Sequence, residues 1–381
     1  MAMALMPVEG QITEYLHQKA ARNGVPLSGS FELTPCCNMA CKMCYIRMTK
    51  EQQEAAAPLR TAQEWVELGR KAREQGMLYL LLTGGEPFLR QDFREILQGL
   101  HALGLVISIN SNATLIDEET VAWLKQTPPS RINVTLYGAS DDTYGRLCGN
   151  PKGYTQATTA IRLLKEAGIS VKLNYSVTAD NADDLEKVFA FAEKEGLILQ
   201  ATSYMFPPLR RDGTMVGRNY RLAPQEAAYY AAQIARMTGG DEVFLKRMQE
   251  EMPPMPQETE DCTQTSPGEG IRCRAGKCSF WVTWTGDFLP CGMMPHEGAL
   301  NVFEAGFDQA WQGAQAYAQT IRLPGQCASC EARDICKACA AMVYTESGDF
   351  SCVPQYRCAM TKEFPNACRR VEAQIMSCRN G

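Results

Sequence analysis

From Phe31 onward the chain alternates short apolar runs with amphipathic stretches. The runs FELT (31–34), MLYLLLT (77–83), LVISIN (105–110), RINVTL (131–136), SVKLNYSVT (170–178) and LILQATSYM (197–205) have the length and composition of strands. Between them, 61–75, 91–103, 117–126, 154–167 and 182–195 carry helical spacing, several closed by a glycine such as Gly76, Gly104, Gly168 or Gly196. Ile12, Tyr15 and Leu16 predict a short leading helix within 10–22. Six strands alternating with helices predict an α/β architecture of parallel βα units, as an open sheet or a barrel two units short of eight. After a helical stretch at 223–251, the Pro-, Glu- and Thr-rich segment 252–270 reads as a linker. Beyond it the βα rhythm is lost and eleven residues are cysteine, which predicts a small second domain held by what its cysteines bind.

Composition narrows the chemistry. A net charge of −5 gives no field for a phosphate backbone, so nucleic acid is not an expected partner, and Arg210 and Arg211 read as a solvated basic loop. Unbroken apolar runs such as Met77 to Leu82 are far too short to span a membrane, and no signal segment opens the chain, so a cytoplasmic protein is expected. In that compartment disulfides are disfavoured, and seventeen cysteines with only three histidines point to thiolate sites for iron–sulfur or zinc.

Cys37, Cys41 and Cys44 are spaced C-x3-C-x2-C directly after the first predicted strand. Three thiolates on one tight loop can hold three corners of a cubane cluster and leave the fourth iron open, whereas zinc would use Cys36 as a fourth ligand. Tyr45 follows the third cysteine, and Gly84-Gly85-Glu86-Pro87 stands at the end of the second strand. Together these segments resemble the radical S-adenosylmethionine (SAM) superfamily. The resemblance implies a partial (β/α)6 TIM barrel in which the three cysteines hold a SAM-binding [4Fe–4S] cluster. It implies that Gly84, Gly85, Glu86 and Pro87 receive the SAM amino group and that Met43 packs near the adenine. Ser111-Asn112, Thr135 and Arg146 are further expected contacts to SAM, with Ala113 standing where relatives often carry glycine.

The later cysteines resemble the SPASM extension of such enzymes, with two auxiliary [4Fe–4S] clusters. Carried over, Cys273, Cys278, Cys291 and Cys339 hold the first, and Cys327, Cys330, Cys336 and Cys352 the second, with Cys358 the rival of Cys352. Cys336 and Cys339 are separated by two residues where the resembled pattern has three, and zinc ribbons fit the paired spacings equally well. The remaining cysteines read as small hydrophobes. The expected division is a helical lead-in at 1–27, the radical SAM barrel at 28–221, a bridging helix and linker at 222–270, the SPASM domain at 271–360 and a helical tail at 361–381.

The resemblance implies an oxidoreductase that cleaves SAM to a 5′-deoxyadenosyl radical and abstracts hydrogen from a ribosomally made peptide, forming a thioether, a carbon–carbon crosslink or another oxidised product. It needs an external electron donor such as flavodoxin or ferredoxin. Thirty residues precede Phe31, too few for a leader-binding domain, so a separate leader-binding protein is an expected partner. The alternatives are a sulfatase-maturing oxidase, disfavoured by Gly292 where those enzymes carry Asp, a small-molecule dehydrogenase, and a non-catalytic iron–sulfur carrier. Substrate specificity is expected in 207–221 and 252–270, around Tyr204, Arg210, Arg211 and Glu297.

Overall fold

A computed structural model describes residues 10–250, 268–294 and 298–380. Glu297 and most of the 252–270 linker therefore lie outside the described residues. The sheet is built from β1 (Ser28–Glu32), β2 (Tyr79–Thr83), β3 (Val106–Ser111), β4 (Arg131–Leu136), β5 (Val171–Ser176), β6 (Ile198–Thr202), β7 (Ser279–Val282) and β8 (Phe288–Leu289). Its order is β6-β5-β4-β3-β2-β1-β7-β8, parallel from β6 through β7, with β8 antiparallel at the edge. It is an unclosed, barrel-like partial TIM fold. Five of the helices run where the spacing predicts, at Ala62–Glu74, Phe93–Ala102, Glu118–Leu124, Gly153–Glu166 and Leu185–Glu195.

Burial explains the crossovers. The Ala62–Glu74 helix starts from a Thr61/Glu64 capping box and buries Trp65 and Leu68 against the sheet. Trp65 lies 5.2 Å from Phe31, which is fully buried. Because side chains alternate along a strand, Ser30 and Glu32 then face the opposite, concave side.

The stretch beyond the linker departs from expectation in one respect. Rather than standing apart, it adds β7 and β8 to the sheet and sends Phe280, Val282, Phe288 and Trp311 into the main core. Strands of four and two residues are too short to leave a periodic signal. The chain ends in a long helix, Gln355–Asn380, which begins before the expected tail and shares the core through Met360, Ala367 and Val371. No helix among the described residues is long and apolar enough to cross a membrane.

Candidate functional site

Four segments gather at the carboxyl ends of the parallel strands, the usual place for a site in such a sheet. The cysteine loop follows β1, Gly84–Pro87 follows β2, Ser111–Thr114 closes β3, and Thr135 lies near the end of β4, beside Asn174 of β5. The two glycines dock one segment on another: the Gly85 N–H donates to the Thr34 carbonyl at 2.7 Å and the Glu86 N–H to the Cys36 carbonyl at 3.0 Å. A Cβ on Gly85 would stand 2.2 Å from the Cys36 oxygen, and one on Gly84, at φ 148°, 2.5 Å from the Thr34 oxygen. Glycine is thus required for packing against the cysteine loop, before any ligand is considered.

The Glu86 side chain is tied into the fold. Its carboxylate is fully buried and accepts from the Ser111 hydroxyl (2.8 Å), the Asn112 N–H (2.7 Å) and the Phe88 N–H (3.2 Å). Burial pushes its pKa up to about 7. The side chain ties β2 to the β3 turn, which leaves the main chain of Gly84 and Gly85 to meet a ligand. Asn112 carries the link onward: its Nδ2 donates to Asn38 at 2.9 Å and lies 3.6 Å from the Cys37 sulfur. Its Oδ1 accepts from the Thr114 N–H and hydroxyl. Ala113 takes the left-handed conformation glycine would, at φ 61°, fully buried.

Two of the loop sulfurs have donors aimed at them: Cys37 faces the Met39 N–H at 3.4 Å as well as Asn112, and Cys44 faces the Arg47 N–H at 3.3 Å, while Cys41 packs with Cys148 and Tyr137. Donors of this kind suit thiolates. Burial pushes Cys37 up to about 12 and Cys44 upward, whereas the contact with Cys148 lowers Cys41. A bound iron cluster would supply the positive charge these buried sulfurs lack, so the donor set fits one. No three His, Cys, Asp or Glu side chains among the described residues close on one point as a single metal ion needs. A cubane spreads its ligands wider than a single ion does.

Met43 is half-buried against the cluster of Met39, Tyr144, Leu147 and Cys148. Pro87 is buried and opens a short 3-10 turn. Arg146 lies on the surface, paired with Asp142 and donating to the Asp180 carbonyl at 3.3 Å. Tyr45 lies beneath the Arg210 guanidinium, 5.8 Å from its ring centre, and its pKa is raised by burial and then by Glu32.

Arg210 corrects the sequence reading, for it is no solvated loop residue. Its guanidinium grips the fully buried Glu32 carboxylate at 2.7 and 2.8 Å and donates to the Gly292 carbonyl at 3.0 Å. Trp281 of β7 donates to the same carboxylate at 3.1 Å. The acid in FELT was the available signal, a charged residue in a buried strand; nothing in the sequence joins it to Arg210 or Trp281. Tyr204 is also structural, donating to Glu346 at 2.7 Å, while Arg211 is exposed.

The Arg210 guanidinium, lying over the Tyr45 ring next to Cys44 and donating to the Gly292 carbonyl next to Cys291, links the first cysteine loop to the second cysteine region. There Cys273, Cys291 and Cys339 feel one another's charge, and burial pushes Cys291 up to about 11. A cavity of about 810 Å³ reaches Cys273 and Cys291, and one of about 380 Å³ reaches Cys273 and Cys339. The fourth expected member, Cys278, is fully buried in the apolar cluster of Ala20 and Leu27. Further along, Cys327 lies within electrostatic reach of Cys336, Cys358 and Cys330, and Cys358 is carried there by the last helix. Cys36 contributes its main chain to the loop, donating to the Thr34 hydroxyl and accepting from Glu86.

Residues 31–192 match the model of the Radical SAM superfamily. The chain is 24% identical over 362 residues to the AdoMet-dependent heme synthase of Methanosarcina barkeri, covering 87% of this chain and 95% of the relative. It is 26% identical over 348 residues to the mycofactocin maturase MftC of Mycobacterium ulcerans, covering 87% and 89%. In fold it is similar to Streptococcus suis SuiB bound to the precursor peptide SuiA, with a TM-score of 0.63, 17% identity and coverage of 88% of this chain and 77% of that one.

Proposed function

We propose that this chain, which carries a radical SAM domain over residues 31–192, oxidises a ribosomally made peptide in the cytoplasm. In this reading Cys37, Cys41 and Cys44 hold the SAM-binding [4Fe–4S] cluster. Cys273, Cys291 and Cys339, completed by Cys278, hold one auxiliary cluster, and Cys327, Cys330, Cys336 and Cys358 the other. The observation that carries it is the network of Tyr45, Arg210, Glu32 and Trp281, which begins beside Cys44 and reaches the Gly292 carbonyl beside Cys291. When bound, the first cluster supplies the electron that splits SAM, and the radical so formed takes a hydrogen atom from the substrate. An auxiliary cluster across this network would accept the electron left behind, which makes the net reaction an oxidation.

The chain's own residues hold the reactants. The main chain of Gly84 and Gly85 receives the amino group of SAM, the Glu86–Asn112–Asn38 links fix the mouth, and Met43 packs beside the adenine. The Arg210–Glu32 pair closes the network without leaving a buried charge unpaired. Electrons arrive from a flavodoxin or ferredoxin, and leader recognition falls to a separate protein or to these two regions.

Sulfatase maturation is disfavoured further by packing, because a side chain at Gly292 would begin 2.5 Å from the Trp281 ring and an acid does not fit there. A haem precursor is the second reading, favoured by the end-to-end match to the heme synthase of Methanosarcina barkeri. The test incubates the reconstituted protein anaerobically with SAM, reductant and either the short peptides encoded beside its gene or haem precursors. Loss of hydrogen from a peptide, with 5′-deoxyadenosine formed in step, supports the first reading. Conversion of a haem precursor alone replaces it with the second.

A further inference from the structure

The donors around the first cysteine loop are unevenly shared. Cys44 is served by a main-chain N–H, and Cys37 by a main-chain N–H and the more distant Asn112 amide. Cys41 packs in one buried cluster with two side chains that the reading above leaves without a task, Cys148 and Tyr137.

Their placement is built into the fold. The Ala40 N–H donates to the Cys148 carbonyl at 2.8 Å and the Lys42 N–H to the Leu147 carbonyl at 3.1 Å. These two bonds bracket Cys41 against the end of the Asp141–Cys148 helix. Cys148 is fully buried in an apolar cluster with Met39, Tyr144 and Leu147, with Cys37, Cys41 and Tyr137 packed against it. Tyr137 is fixed at both main-chain atoms: its N–H donates to the Tyr144 hydroxyl at 3.2 Å, and its carbonyl accepts from Asn181 at 3.0 Å. Its ring meets that of Tyr144 edge-on at 5.8 Å.

We propose that Cys148 and Tyr137 are positioning residues that donate their S–H and O–H to the Cys41 thiolate and raise the reduction potential of the cluster held by Cys37, Cys41 and Cys44. The inference rests on the proposed reading of those three cysteines as cluster ligands. An added electron increases the negative charge on the cluster sulfurs, so a donor aimed at one of them stabilises the reduced form more than the oxidised form. The phenol is the stronger donor of the two, and its removal has the larger effect.

The test is an EPR-monitored redox titration of the reconstituted holoenzyme, following the signal that changes when SAM is added, with iron counted in each sample. Tyr137→Phe and Cys148→Ala each reduce the cluster less readily. At the wild-type midpoint the reduced-to-oxidised ratio falls about threefold to tenfold, less than the loss of a whole hydrogen bond to a charged acceptor, because the bond is present in both oxidation states and only its strengthening on reduction is lost. Cys148→Ser keeps a donor and holds the ratio at or above wild type. A wild-type ratio in Tyr137→Phe and Cys148→Ala, or equal losses in the Ser and Ala variants, overturns the proposal. Tyr137→Phe removes one oxygen atom and decides the matter should Cys148→Ala fail to load iron. A wild-type protein with no SAM-responsive signal contradicts the cluster reading itself, which separates the two failures.

Discussion

The cysteine loop after β1 and the cysteines beyond the linker share a residue type and differ in what holds them. Around Cys37, Cys41 and Cys44, hydrogen bonds run from Gly85, Glu86 and Asn112 and from the end of the Asp141–Cys148 helix, and the loop rests on a parallel sheet. The later cysteines sit on four-residue helices such as Gly325–Ala328 and Arg333–Cys336, beside a small apolar cluster of their own, with Cys273 exposed and cavities next to it. The first site is shaped by the fold before any ligand arrives. On the proposed reading, the second is completed by the group it binds, as in small domains whose metal supplies folding free energy.

The sharpest way to break this contrast is to strip the metal. In hydrogen exchange on the chelated chain, amides of 325–352 lose protection by at least about a hundredfold while β1 to β6 keep theirs, the expectation for segments of unequal local stability. A uniform loss across both regions would erase the distinction. Next, Cys358→Ala should lose about four irons, one whole cluster, while Cys352→Ala keeps the wild-type count, measured after anaerobic reconstitution. The reverse result would return the ligand to Cys352.

Arg210 tests the seam between the regions. Arg210→Met strands the Glu32 carboxylate in the interior and should cost about 3–5 kcal/mol in denaturant unfolding of the cluster-free chain. Adding Glu32→Leu should restore most of that loss, because the stranded charge is gone. If the single variant is as stable as wild type, the pair does not hold the seam. The smallest effect belongs to Ala113, whose φ of 61° favours glycine. Ala113→Gly should change stability by less than about 0.5 kcal/mol, because the relief of left-handed strain is offset by the entropy glycine gives up and by the buried methyl it deletes, read from the same unfolding curves.

Hydrophobic spacing located β4 at both ends and β1, β2, β3, β5 and β6 within a few residues, because each is a buried apolar run between polar turns. The four segments at the carboxyl ends of β1 to β4 were legible because they are local in sequence. What escaped depends on distance along the chain. Glu32, Arg210 and Trp281 meet across 178 and 249 residues of separation, and no local pattern announces such a pairing. Cys148 read as a spare hydrophobe because its partner, Cys41, lies on a different loop. The nearness of Cys358 to Cys327 is likewise invisible in the sequence, since it is the course of the last helix that brings it there.

The most direct test of the central claim counts iron and sulfide after anaerobic reconstitution of wild type and a Cys37→Ala, Cys41→Ala, Cys44→Ala variant, with SAM cleavage assayed beside it. The account predicts about twelve irons falling to about eight, with cleavage abolished. Equal iron in the two proteins, or cleavage that survives in the variant, would contradict it.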